Sequence, residues 1–117
     1  MPDREHALAV AERFGRNLRR VRKREDLSQE RLGRRASIHR TEIGLLEKGE
    51  RVCRIDTLIR LAGAMAVPPA ELLDGIAWVV PGPPPEGAFA FGTSAISSWP
   101  RRTKEEEAGS TEEQADR

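Results

Sequence analysis

Residues 28–49 read SQERLGRRASIHRTEIGLLEKG, and this stretch decides the fold. Ser28 is a strong N-cap residue, and Glu30 places a carboxylate in the first turn behind it, where the helix dipole favours negative charge. Leu32 and Ala36 then share one face, while Leu27 packs from just outside the cap. The periodicity breaks at Ala36-Ser37-Ile38. It resumes over about Arg40–Lys48 with Ile43 and Leu46 inward, and Gly49 follows as a C′ residue. Two short helices joined by a tight turn and held by Leu32, Ile38, Ile43 and Leu46 make a helix-turn-helix pattern. Geometry explains its use. The first helix lies across a phosphate backbone so that the second enters a major groove wide enough for one helix.

Outward from this core, Val10, Phe14, Leu18 and Val21 recur at steps of four, four and three, which predicts an amphipathic helix over about Ala7–Arg24. On the C-terminal side, Ile55, Leu58, Ile59, Ala62 and Met65 predict a fourth helix with those residues inward. Pro68-Pro69 opens a short fifth through Glu71-Leu72-Leu73, closed by Gly75. The expected fold is all-α, a five-helix lambda-repressor-like domain over residues 7–75. A C-terminal extension follows. Ile76–Val80 and Ala88–Phe91 lean towards strands on either side of PGPPPEG, predicting an extended arm or weak hairpin over 76–91 with Trp78, Phe89 and Phe91 half-buried. Residues 92–117, rich in Ser, Thr and charge, are expected to form a disordered acidic tail.

Composition limits the function. The 117 residues are 38% hydrophobic and 33% charged, room for one modest core. No apolar run approaches the roughly 20 residues of a membrane span. The start, Met-Pro-Asp-Arg-Glu-His, lacks the layout of a signal peptide, so the cytoplasm is the expected location. One cysteine, Cys53, excludes an internal disulfide and a cysteine-cluster zinc site; it is expected to pack in its loop. With two histidines, His6 and His39, no metal site is expected, no cofactor is implied, and no nucleophile–base set or phosphate loop points to an enzyme. The net charge of +1 hides an asymmetry: residues 1–75 carry 16 basic and 12 acidic side chains, residues 76–117 carry 4 and 7. Arg16, Arg20, Arg51 and Arg54 are expected to reach phosphates, making binding salt-dependent.

Leu27-Ser28-Gln29-Glu30, then Ile43, Glu47 and Gly49, then Thr57-Leu58 with Leu61-Ala62, resemble the Cro/C1-type (XRE-type) helix-turn-helix family over about Phe14–Gly75. The resemblance implies a regulator of transcription, expected to be a repressor, that binds a short operator on double-stranded DNA as a homodimer. It implies that Gln29 anchors at the DNA backbone. Arg40, Thr41 and Leu45 face base edges, while His39 and Glu42 lie near phosphates. Arg22 and Glu47 form a partly buried pair tying the first helix to the recognition helix. Residue chemistry leaves alternatives open: Arg40 can fork onto guanine or hold a phosphate, Thr41 can meet a phosphate or a thymine methyl, and Glu42 can cap its own helix. Four positions depart from the family pattern: Gly33 for Ala, Ser37 for Gly, His39 for a Ser or Thr cap, and Cys53 for Pro. A rival reading is an antitoxin-like component whose tail binds a partner protein.

Overall fold

The computed structural model describes residues 2–80 and 87–92. The tail expected to be disordered, from residue 93 onward, and most of the proline-rich connection at 81–86 lie outside them. Five helices run in order: α1 (Pro2–Arg24), α2 (Gln29–Ala36), α3 (Arg40–Glu47), α4 (Ile55–Met65) and α5 (Pro69–Leu72). Two strands, β1 (Ile76–Val79) and β2 (Ala88–Phe91), close an antiparallel hairpin. The first helix begins well before the Ala7 that its apolar stripe suggests. Proline suits a first helical position, and Asp3 and Glu5 in the first turn complement the dipole, so polar residues extend α1 where hydrophobic periodicity is silent.

The core forms where α1 lies against α3 and α5, and α2 against α3 and α4. Phe14, Leu18 and Val21 of α1 are buried with Leu32, Ile43, Leu46, Leu61 and Leu72. In α4 the expected face holds in part: Ala62 and Met65 are buried and Leu58 packs against the core, but Ile55 and Ile59 are 76% and 58% exposed, and Leu61 and Ala64 are buried in their place. The helix is apolar on two sides, and the side carrying two alanines is the one that packs inward.

Two residues that the apolar pattern does not single out fix how α1 meets its neighbours. Asn17 is fully buried in the stripe, and its Nδ2 donates to the carbonyls of Leu72 (3.0 Å) and Asp74 (2.8 Å), satisfying the end of α5. Its Oδ1 accepts from Arg20 (3.1 Å). At Gly15 helix α3 comes so close that a β-carbon would stand 2.3 Å from the Leu46 carbonyl oxygen and 2.7 Å from that of Glu47.

The hairpin pairs Trp78 with Phe89 and Ile76 with Phe91, and the Gly92 N–H closes its open end on the Gly75 carbonyl at 2.8 Å. Its deeply buried residue is Ala77; Trp78 stays 43% exposed, with its ring edge-on to Phe89 and His6.

The contact at Gly15 leads to a direct expectation. Gly15→Ala should lower unfolding free energy by about 1–3 kcal/mol through overpacking against immovable backbone. Gly63→Ala, in open space on α4, should instead stabilise by about 0.5–1 kcal/mol. Denaturant melts of the two variants check both signs; equal effects would show that α1 and α3 are not in close contact.

Candidate nucleic-acid interface

The turn between α2 and α3 follows from local chemistry. Ser28 accepts from the Arg31 N–H (3.0 Å) and starts α2. Ser37 ends it in the left-handed region, φ 58°, while the Ile38 N–H reaches back to the Gly33 carbonyl at 2.8 Å. A non-glycine residue there costs about 1–2 kcal/mol. Gly33 permits the tight return, since a β-carbon on it would lie 2.5 Å from the Ile38 carbonyl oxygen.

His39 caps α3: its Nδ1 accepts from the Thr41 N–H at 3.1 Å. The bond assigns the ring's lone pair to Nδ1 and leaves Nε2–H free to donate outward. Glu42 does not cap the helix; its carboxylate takes the Arg51 guanidinium in an ion pair. Gly49, φ +72°, stops the helix, with the Glu50 N–H on the Leu45 carbonyl (3.0 Å) and the Gly49 N–H on that of Leu46 (3.1 Å).

With Ile43 and Leu46 buried, α3 turns Arg40, Thr41, Gly44, Leu45 and Lys48 outward. Arg40, Thr41 and Lys48 are exposed, Leu45 half-buried. Gly44, which the sequence reading passed over, leaves this surface low beside Gln29, whose side-chain oxygen lies 3.8 Å from where a Gly44 β-carbon would stand. Arg51 and Arg54 stand exposed in the loop after the helix. Each outward arginine has an acidic neighbour: Arg40 has Glu30 (3.9 Å), Arg51 has Glu42, and Arg54 has Asp56 (3.1 Å). Arg20 turns instead to the α5 end of α1, beside Asn17 and Asp74, apart from this cluster.

Behind the outer face, Arg22 and Glu47 meet in a fork: Nε to Oε2 at 2.6 Å and Nη2 to Oε1 at 3.0 Å. Their side chains are 10% and 4% exposed. Arg22 also donates to the Leu27 carbonyl (2.8 Å), and Gln29 donates to Glu47 Oε1 (3.2 Å). Gln29 is therefore tied to the recognition helix before it meets any ligand. Cys53 in the following loop is half-buried; burial, then the nearby Glu42 and Asp56 charges, push its thiol up to about 11, leaving it protonated and unreactive at neutral pH.

Two short helices crossing at a tight turn, the second offering a polar outer face flanked by exposed arginines, define a DNA-binding helix-turn-helix protein. The chain belongs to the helix-turn-helix domain family, whose model matches residues 13–74, and it is a DNA-binding transcription regulator of the Cro/C1 type. It is 36% identical over 62 residues to control protein C.BamHI of Bacillus amyloliquefaciens, covering 52% of this chain and 76% of that one. With control protein C.SmaI of Serratia marcescens it shares 38% over 74 residues, 62% of this chain and 88% of the other. The crystal structure of the restriction-modification controller protein C.AhdI from Aeromonas hydrophila superposes with a TM-score of 0.53 at 34% identity, covering 55% of this chain and 97% of that protein.

The buried fork generates a double-mutant test. Arg22→Met and Glu47→Leu should each cost about 3–5 kcal/mol, because each strands the other charge away from water. Combined, they should cost markedly less than the sum. Additive losses under about 1 kcal/mol each would mean that the two groups behave as solvated surface charges.

Proposed function

We propose that the chain acts in the cytoplasm as a homodimeric regulator, expected to repress, which sets α3 into the major groove of a short two-fold operator. The observation that carries this reading is the outer face of α3, anchored from behind by the Arg22–Glu47–Gln29 network and flanked by Arg51 and Arg54. Arg40 at its leading end suits the O6 and N7 of guanine. Thr41 beside it and Leu45 a little over one turn further on fit base edges, with Leu45 limited to apolar contact such as a thymine methyl. Gln29, His39 through Nε2–H, Lys48, Arg51 and Arg54 are placed to hold phosphates. Glu42 has a different part: it holds Arg51 in the free protein and must yield it to a phosphate on binding.

Two-fold pairing follows from information content, since one such helix reads only a few base pairs. The relatives' names, control and controller protein, fit a regulator at promoters. No described residue supports the antitoxin-like alternative with its tail-bound partner protein.

Selection of sites from random DNA should yield a short two-fold sequence, and Arg40→Ala should lose about 1–3 kcal/mol of discrimination at one base pair of each half-site. Lys48, Arg51 and Arg54 from two copies make about six cationic phosphate contacts, so log K against log salt should slope near about −5. A slope shallower than about −2, or no enriched sequence, would overturn the reading.

A further inference from the structure

Two segments outside the matched family region, the start of α1 and the hairpin, pack on each other and enclose a cleft of about 340 Å³. Its walls are His6 and Val10 of α1, Trp78 and Phe89 of the hairpin, and Val52 of the loop after α3, with Asp3 at the rim. Trp78 and Phe89 meet edge to face at 5.0 Å, and His6 stands edge-on to both at 6.2 and 5.8 Å. Trp78 and Val52 remain 43% and 56% exposed. The cleft thus has apolar aromatic walls, unfilled space and one carboxylate, a chemistry suited to an indole ring followed by a cation.

The chain itself carries that chemistry once beyond β2, at Trp99-Pro100-Arg101-Arg102. We propose that this cleft is the docking site of the chain's own 99–102 segment, with the Trp99 ring between Val10, Val52 and the hairpin aromatics and an arginine on Asp3. The tether permits it. Gly92 ends the hairpin, and seven residues from there to Trp99 span up to about 23–25 Å. Phe89, in the cleft wall, lies only about 10 Å back along β2. Proline at position 100 stiffens the step between ring and cations. A tether this short sets an effective concentration on the order of millimolar, so a modest contact is enough to hold the segment. A second copy has no such advantage.

The test uses the full chain in solution. Nuclear Overhauser contacts should join the Trp99 ring to the methyls of Val10 and Val52, within one molecule. Trp99→Ala should shift the Trp78 indole N–H and the Val52 amide, both distant in sequence. Asp3→Asn, in the exposed first turn of α1, should weaken docking about threefold, as loss of an exposed ion pair does. Mixing labelled and unlabelled chains separates the alternative occupant: contacts seen only between molecules would assign the cleft to a second copy's tail and overturn the proposal. Shifts confined to the neighbours of residue 99, with no contacts to Val10 or Val52, would overturn it as well. Trp99→Ala lies outside the helical domain and Asp3 is exposed in the first turn of α1, so neither substitution touches the buried core.

Discussion

A guanidinium buried against a carboxylate joins the first helix to the last turn of the recognition helix, and the shape of the interface depends on it. Arg22 and Glu47 are both withdrawn from water, so their attraction must offset a large desolvation penalty. It does so through geometry. The fork is bidentate, the third Arg22 nitrogen donates to the Leu27 carbonyl, and Glu47 takes a further bond from Gln29. Apolar side chains of the same volume would hold α1 to α3 as firmly. They would not hold α3 at one rotation, because dispersion contacts are tolerant of sliding and a planar fork is not.

Gly15 fixes the same relation from the other side. The carbonyls of Leu46 and Glu47 press on α1 where no side chain is permitted, so the end of α3 is pinned by a close backbone approach and a directional ion pair. The outward residues inherit this rigidity. Arg40, Arg51 and Arg54 do not share it, since each is exposed and leans on a nearby acid. Such pairs are worth little in water and exchange readily for phosphate. A rigid helix with pre-held but releasable arginines costs little entropy on binding and keeps its cations from wandering.

What the sequence revealed follows the range of the interactions concerned. Ser28, Gly49 and the Phe14–Leu18–Val21 stripe act within a turn or two of chain, and their spacing disclosed them. The hairpin was visible as two β-leaning runs around a proline-rich turn. The inward face of α4 was read correctly at Ala62 and Met65 but not at Ile55 and Ile59, because those two satisfy helical spacing as well as Leu61 and Ala64 do; the choice lies with the neighbours of that helix. Asn17 and Gly15 were overlooked for the same reason, their partners being carbonyls 31 to 57 residues away. Arg22 and Glu47 are linked by no periodicity, and only resemblance to a family suggested that they meet. The bond from Gln29 to Glu47, the flat surface at Gly44 and the acidic partner of each outward arginine had no signal in the pattern of residue types. They arise where α2, α3 and the following loop converge.

The buried fork orients the recognition helix as well as stabilising the domain. That orienting role is tested most directly with the double variant Arg22→Met/Glu47→Leu, at a temperature where it is folded, on a selected operator and on unrelated DNA of equal length and at equal salt. If the fork sets the pose of α3, non-specific affinity should stay near its original value, because the arginines remain, while the ratio of specific to non-specific affinity falls at least tenfold. An unchanged ratio in a folded double variant would mean that apolar packing alone is sufficient to aim the helix.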